Sequence, residues 1–188
     1  MRVFLDFEAS SLGEGGFPVE VAWVFEHGRS ETHLIRPAPD WTEWDPEAQA
    51  IHRISREQLE AEGADHADVA ARMLDQLSGH ALYVTAPSWD GQWLSRLLRA
   101  AGLPRHALRL KDSDEAHREA ALNVLEVLGV RDDPEAVAER LIAQARLNVL
   151  PETPAHRALA DAEAERQVCL EVQRLAREAV KASRWNRA

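Results

Sequence analysis

The first strongly apolar run of the chain lies at residues 2–10, and two carboxylates are set into it. The run is short, rich in bulky side chains and followed by the glycine-rich segment 12–16, so a strand is predicted rather than a helix. Because side chains alternate between the faces of a strand, Asp6 and Glu8 are expected on one face, and Leu5 and Phe7 on the other. The pattern therefore places two like charges on one face of the first strand.

Further apolar runs predict four more strands. Segments 18–26 and 31–36 are joined by His27-Gly28, which is typical of a hairpin turn, so these two strands should be antiparallel. A fourth strand is predicted at 80–85 and a short fifth strand at 107–111. After the third strand, residues 37–50 contain three prolines and two tryptophans, and they are predicted to form an irregular loop.

Helical patterns fill most of the remaining chain. Helices are predicted at 56–61 with Ser55 as the cap, and at 64–77, 89–101, 113–128, 134–147 and from near Pro154 to about 183. Three early strands followed by alternating helices and strands predict an α/β fold, with a mixed five-stranded sheet and helices on both faces. At 188 residues, the chain is expected to form a single domain, 1–188.

Composition narrows the class of protein. The hydrophobic content of 45% and the charged content of 29% are ordinary for a soluble globular protein, and no apolar run reaches the length of a membrane span. The chain lacks a signal-peptide pattern, and its single cysteine, Cys169, excludes an intramolecular disulfide, so a cytoplasmic protein is expected. The formal net charge of −10 argues against electrostatic coating of nucleic acid, but not against an enzyme whose metal ions supply local positive charge.

The paired acids Asp6 and Glu8 need a positive partner if their strand is buried. Buried like charges repel one another and lose hydration, and a divalent cation between them is the simplest remedy. The alternative is a pair of exposed acids on an edge strand. A third acid, Asp161, interrupts an apolar stripe along the last helix, and metal binding, an arginine partner or access to solvent would each explain it. The stripe consists of Ala158, Val168, Val172, Leu175 and Ala179.

Two further residues are candidates for the same chemistry. Asp90 stands just beyond the fourth strand, where open α/β sheets bind ligands, although taken alone a capping role in the first turn of a helix is favoured. His156 lies five positions before Asp161, which is about 140° around a continuous helix. The two side chains would therefore converge only if His156 lies on the loop or the first turn that leads into the helix.

The four acids and the histidine, in this order, resemble the site of the DEDDh family of 3′→5′ exonucleases. The first motif reads Leu5-Asp6-Phe7-Glu8-Ala9-Ser10-Ser11-Leu12, and Val19-Glu20-Val21 is similar to the second strand of the family. The last motif reads His156-Arg157-Ala158-Leu159-Ala160-Asp161, and Ile51-His52-Arg53-Ile54 is similar to a short family segment. The middle motif departs from the family, because Ala86 stands four residues before Asp90 where asparagine is usual.

The resemblance implies a ribonuclease-H-like fold and a metal-dependent enzyme that removes nucleotides from the 3′ end of single-stranded DNA or RNA. Two Mg²⁺ or Mn²⁺ ions, about 3.5–4 Å apart, would activate water, relieve charge at phosphorus and stabilise the leaving 3′ oxygen. Oxygen ligands suit these ions better than zinc. Asp6, Glu8 and Asp161 are assigned to the tighter ion, with Asp6 bridging to the second ion. Asp90 would act directly or through water, and His156 would be the general base.

The resemblance also suggests substrate contacts. The backbone around Ala9 and the side chain of Leu12 are expected to meet the terminal nucleotide, and His52 to meet a phosphate. Three tryptophans are candidates for base stacking, although packing is favoured for them; they are Trp41, Trp44 and Trp93. Five arginines either line an approach path or lie on solvated helix faces, and these are Arg53, Arg56, Arg96, Arg99 and Arg105.

Two other functions compete with the exonuclease. One is a catalytically silent nucleic-acid-binding module of the same fold, and the other is a metal-dependent phosphoesterase that acts on small nucleotides. All five motif positions are filled, which argues against the silent module. No motif separates DNA from RNA, residues 112–152 carry no matching signature, and a homodimer is left open.

Overall fold

The structure, a computed structural model, describes residues 1–127, 133–153 and 155–185. The strands in these ranges are β1 (Arg2–Ala9), β2 (Pro18–Phe25), β3 (Ser30–Arg36), β4 (Ala64–Asp65), β5 (Ala81–Val84) and β6 (Leu110–Asp112). They form one mixed sheet in the order β4-β3-β2-β1-β5-β6. The predicted α/β fold with a mixed sheet is confirmed, but the sheet has six strands in place of five. The additional strand, β4, was predicted as the start of a helix.

Strand β1 lies inside the sheet, between β2 and β5. It is antiparallel to β2, with Asp6 opposite Ala22 and Glu8 opposite Glu20, and a bulge interrupts the pairing between Glu8 and Ala9. It is parallel to β5, so the carboxyl ends of β1 and β5 meet at the same edge of the sheet. The predicted hairpin is also confirmed, because β2 and β3 are antiparallel.

Side chains on both faces of β1 are buried, as expected for a sheet that is covered on both sides. Val3, Leu5 and Phe7 belong to the apolar core on one face. Phe4 is fully buried on the other face, where Asp6 and Glu8 are half-buried. The alternation read from the sequence is therefore confirmed, and it sets the two acids on the same face of an interior strand.

The helices of the described ranges correspond mostly to the predicted ones. They are α1 (Pro46–His52), α2 (Arg56–Glu62), α3 (His66–Leu77), α4 (Pro87–Ala100), α5 (Ser113–Val127), α6 (Pro134–Val149) and α7 (Ala158–Trp185). The predicted cap of α2 is confirmed, since Ser55 Oγ accepts a hydrogen bond from the Gln58 N–H at 3.1 Å. The predicted end of the 113–128 helix and the glycine after it lie outside the described residues.

Helix α1 corrects the prediction of an irregular loop over 37–50. Asp45 caps this helix by accepting a hydrogen bond from the Glu47 N–H at 2.8 Å. Pro46 occupies the first turn, where a missing N–H removes no intrahelical hydrogen bond. The prediction failed because a proline that begins a helix was interpreted as one that prevents a helix.

Helix α7 begins later than predicted. Its first residue is Ala158, whereas Pro154, the predicted start, lies outside the described residues. His156 has a φ of 50°, which is the left-handed region and is incompatible with a continuing right-handed helix. His156 therefore lies on the segment that leads into α7, which is the position required for it to converge with Asp161.

Contacts between Cα atoms divide the chain into two compact units. The first, called the sheet unit here, comprises Met1–Asp112 and Ala155–Glu163 and contains all six strands of the described chain. The second comprises Ser113–Pro154 and Ala164–Ala188, where α5 and α6 pack against each other. A single domain over 1–188 stays a prediction. No helix in the described ranges is both long and apolar enough to cross a membrane.

Candidate active site

Three carboxylates meet in the sheet unit. Asp6 and Glu8 come from β1 and Asp161 comes from the first turn of α7, and one carboxylate oxygen from each lies within 4.8 Å of the others. All three side chains are half-buried. The strand alternation explains why Asp6 and Glu8 share a face, but the approach of Asp161 depends on how α7 is attached to the sheet.

The start of α7 is held on β2 by a single buried acid, Glu20, which is 3% exposed. Its carboxylate accepts hydrogen bonds from Arg157 Nε at 3.1 Å and Nη2 at 2.6 Å, and from the Ala158 N–H at 2.9 Å. Asp161 in turn accepts a hydrogen bond from the Arg157 N–H at 3.2 Å. These bonds fix the first turn of α7 at the strand that neighbours β1.

Glu20 was not predicted as a functional residue from the sequence. Residues 19–21 were recognised there only by their similarity to a strand of the family. The available signal was an acid inside an otherwise apolar strand, because such a residue needs a partner if it is buried. In the structure that partner is Arg157, so an arginine pairs with Glu20 rather than with Asp161.

Crowding of negative charge gives the site its electrostatic character. Burial and then the charge of Asp90 raise the pKa of Asp6 well above its usual range. Burial and the charges of Asp161 and Glu20 raise the pKa of Glu8 to about 7, although Arg157 opposes this shift. A divalent cation would favour the ionised carboxylates, and a donor set made of carboxylate oxygens suits a hard cation. The residues present therefore fit a divalent metal ion.

Asp90 borders the group of three carboxylates. It lies in the first turn of α4 and is 2% exposed. Burial raises the pKa of Asp90 to about 7, although backbone hydrogen bonds, among them those from Ala86 and Phe7, lower it. Its Oδ2 atom accepts a hydrogen bond from the Ala86 N–H at 3.3 Å, so it also has the capping role considered above. Its charge raises the pKa of both Asp6 and Glu8, but Asp90 is not one of the three carboxylates whose oxygens lie within 4.8 Å of one another.

The predicted substrate contacts lie around the segment after β1. Ala9 is 8% exposed beside the bulge, whereas Leu12 is 65% exposed. Glu43 holds the glycine-rich segment, because it accepts hydrogen bonds from Ser11 Oγ and from the Gly15 N–H, the latter at 2.9 Å. Leu12 is therefore presented to solvent by a segment that is anchored on both sides of it.

His52 is buried, with only 2% of its surface exposed. Its Nδ1 atom accepts a hydrogen bond from the Ile54 N–H at 3.0 Å, and its ring meets Trp44 edge-on at 6.3 Å. Burial lowers the pKa of the His52 imidazole, although the nearby Glu20 opposes this shift. A contact between His52 and a phosphate stays a prediction, and it would require the ring to become accessible.

Packing accounts for all three candidate tryptophans, because Trp41 belongs to the apolar core and both Trp44 and Trp93 pack against it. Trp41 stacks on Phe17 with the ring centres 5.3 Å apart, and Trp44 Nε1 donates a hydrogen bond to Gln49 at 2.7 Å. Trp93 also stacks on Trp89, which is 39% exposed.

The five candidate arginines fall into two groups, those with a local structural role and those that line a cavity. Arg56 donates a hydrogen bond to the Trp41 carbonyl at 3.1 Å, and Arg53 ends α1 in the left-handed region. Three of the five predicted arginines line one cavity, together with a fourth arginine that was not predicted. These four are Arg96, Arg99, Arg105 and Arg109.

No protein-family model and no curated protein matches the chain, but solved structures do. A zinc-bound structure of the E. coli exonuclease I–ssDNA complex is 19% identical, with a TM-score of 0.64 over 98% of this chain and 42% of that chain. Exonuclease I from Methylocaldum szegediense is 20% identical, with a TM-score of 0.64 over 96% of this chain and 42% of that chain. E. coli exonuclease I with a dA16 oligonucleotide is 19% identical, with a TM-score of 0.63 over 95% of this chain and 42% of that chain.

The chain thus has the α/β fold of solved exonuclease structures. More particularly, its fold is similar to that of exonuclease I, and the resemblance to DEDDh exonucleases fits this finding. At 19–20% identity the likeness establishes the fold alone. The match covers 42% of each of these exonuclease I chains, so this chain spans about two fifths of their length.

Proposed function

We propose that this chain is a metal-dependent 3′→5′ exonuclease that removes nucleotides from the 3′ end of single-stranded nucleic acid by phosphodiester hydrolysis. The observation that carries the proposal is the approach of Asp6, Glu8 and Asp161 to within 4.8 Å of one another. Carboxylates that raise one another's pKa have little structural value by themselves, but they form a strong site for divalent cations. Structures with the same fold include exonuclease I with bound single-stranded oligonucleotides, which supports the choice of substrate.

Asp6, Glu8 and Asp161 would hold one Mg²⁺ or Mn²⁺ ion, and Asp6 with Asp90 would hold a second, Asp90 directly or through water. Two such ions, when bound, would activate water, neutralise charge on the phosphate and stabilise the leaving 3′ oxygen. The proposed general base is His156, which would accept a proton from the attacking water at a ring nitrogen. Its support is its position two residues before α7, on the segment that Glu20 and Arg157 attach to the sheet.

The substrate would be positioned at its terminal nucleotide by the backbone around Ala9 and by the exposed side chain of Leu12. His52 is retained as a candidate phosphate contact. DNA and RNA are both retained as substrates, because discrimination depends on contacts to a single 2′-hydroxyl. A cytoplasmic location is proposed from the single cysteine, and the homodimer stays a prediction.

The experiment uses matched DNA and RNA strands that carry a 5′ label and either a free or a blocked 3′ end. With Mn²⁺, we expect a ladder that shortens from the free 3′ end and no ladder from the blocked strand or in EDTA. Asp161→Asn should remove the activity, whereas Asp68→Asn, a matched change of an exposed acid in α3, should retain it. Intact oligonucleotides with the wild-type chain would favour the silent module, and cleavage of mononucleotide esters alone would favour the phosphoesterase.

A further inference from the structure

A cavity of about 760 Å³ lies beside α4 in the sheet unit. Its walls come from α4 itself, from the glycine-rich segment after β1 and from residues 105–110. We call it the α4 groove, and it begins at residues 87–89, directly before Asp90. The groove therefore includes the residues on either side of Asp90 in α4, whereas none of the four candidate carboxylates is among its lining residues.

The α4 groove has a charge opposite to that of the chain. Its described lining contains four arginines and one histidine but a single acid, Glu14, in a protein with a formal net charge of −10. Arg96 is engaged by the carbonyl oxygens of Glu14 and Gly15, so it holds the wall in place. Arg99 and Arg109 are exposed, and within the described ranges neither forms an ion pair with a carboxylate. Two cations are thus available to an anionic ligand.

The same groove carries an aromatic surface. Trp89 and Trp93 are four residues apart on α4, so they lie on one side of the helix, and their rings stack with centres 6.0 Å apart and planes 24° apart. Trp89 remains 39% exposed although it stacks on Trp93. Trp93 therefore supports one face of Trp89, while the exposed part of that ring is available for stacking.

We propose that the α4 groove binds the nucleotides that precede the 3′ end of a single strand, with a base stacked on Trp89 and phosphates bound by Arg99 and Arg109. Exposed arginines beside an aromatic platform are the combination that single-stranded nucleic acid requires. A duplex fits less well because its bases are already stacked on one another. This inference rests on the proposed function, since it gives the substrate strand a path from Asp90 along α4.

Binding can be measured separately from cleavage by using the full chain in EDTA with a fluorescent 12-nucleotide single strand. Arg99→Glu should weaken binding at least tenfold and should reduce the slope of log K against log salt by about 0.7 per lost phosphate contact. Arg140→Glu is the control, because Arg140 is an exposed arginine of α6 and the substitution makes the same change in net charge. Equal losses in the two variants would overturn the inference.

The aromatic contact has its own test. Trp89→Ala should weaken binding by about 5- to 150-fold, and Trp89→Phe should restore much of it, because a phenyl ring still stacks. The wild type should bind the oligonucleotide more tightly than a heparin fragment of equal charge. If heparin binds as tightly as the oligonucleotide and Trp89→Ala does not change oligonucleotide binding, the groove is only an electrostatic surface for polyanions and the inference is wrong.

Substitutions of Gly91 test the α4 groove without destabilising the fold. A Cβ atom at Gly91 would meet nothing within 4 Å, and glycine is unfavourable inside a helix, so a longer side chain fits there without destabilising α4. Gly91→Glu should weaken binding more than Gly91→Gln, with no decrease in Tm for either. If all groove variants bind the oligonucleotide as tightly as the wild type and still cleave it, the groove inference is refuted and the proposed activity is not. Binding that depends on the groove but is never followed by cleavage would refute the proposed activity alone.

Discussion

Glu8 and Glu20 lie directly opposite each other on β1 and β2, yet their carboxylates are in different electrostatic states. Glu20 forms a two-point ion pair with Arg157, whereas the pKa of Glu8 is raised to about 7. Like charges opposite each other on a sheet are destabilising, so Arg157 offsets one of the two. The pair thus combines an acid that attaches α7 with an acid that is available to a cation.

Glu20→Ala should impair the site although Glu20 is not a proposed metal ligand. The substitution leaves Arg157 and the Ala158 N–H without their acceptor, at a cost of about 1–3 kcal/mol. Asp161 should then be displaced, so we expect a lower Tm, weaker Mn²⁺ binding by calorimetry and slower cleavage. Glu60→Gln, which removes one partner of an exposed pair with Arg56, is the control and should have little effect. Normal Mn²⁺ affinity in Glu20→Ala would contradict the anchoring role.

Asp6→Asn should abolish cleavage and at the same time stabilise the metal-free protein. Asp6 is the carboxyl whose pKa is raised by burial and by Asp90, Glu8 and Asp161 together, so removing its charge relieves repulsion. We expect a higher Tm in EDTA than for the wild type and a smaller increase in Tm when Mn²⁺ is added. A lower Tm in EDTA would indicate that the Asp6 carboxylate makes a stabilising hydrogen bond that outweighs the repulsion.

The same charges predict how stability depends on pH in the absence of metal. Because the pKa of Asp6 is raised and those of Glu8 and Asp90 are about 7, the folded chain binds more protons than the unfolded chain between about pH 4 and pH 7. The contribution of these groups to stability is therefore full below that range and is lost as the pH rises through it. Denaturation in EDTA should show this loss, and Asp90→Asn should reduce it. Saturating Mn²⁺ should reverse the trend, since the metal binds the ionised carboxylates.

The sequence predicted the parts of the site that depend on local pattern. Alternation along β1 was sufficient to place Asp6 and Glu8 on one face of the strand. The left-handed backbone of His156 provides the break in the helix that convergence with Asp161 would require. What it did not predict depends on contacts between distant segments. The hydrogen bond from Arg157 to Glu20 joins residues 137 positions apart, and no periodic pattern in the sequence predicts such a partner. Arg109 was likewise missed, because a groove is formed by the fold and not by a run of residues.

The glycine-rich segment after β1 should tolerate little change at Gly16. A Cβ atom there would collide with the backbone carbonyl oxygen of Ser11, which a rotation of a side chain does not relieve. Gly16→Ala should therefore shift the segment that presents Leu12, lower stability by about 1–3 kcal/mol and raise KM more than it lowers kcat. Gly91→Ala serves as a stability control because its Cβ meets open space, and its Tm should not decrease. An unchanged KM in Gly16→Ala would separate Leu12 from substrate binding.

His156→Asn should distinguish a general base from a structural histidine. Asparagine is among the residues that best tolerate the left-handed backbone, so this variant keeps the φ of 50° in the segment that leads into α7. If His156 accepts the proton of the attacking water, kcat should decrease by about 10²–10⁴-fold while Tm and Mn²⁺ affinity stay at their wild-type values. His27→Asn, on the exposed β2–β3 hairpin, should leave kcat unchanged. A neutral His156→Asn across a range of pH would assign proton transfer to another group, whereas parallel losses of Mn²⁺ affinity and activity would make His156 a positioning residue for Asp161.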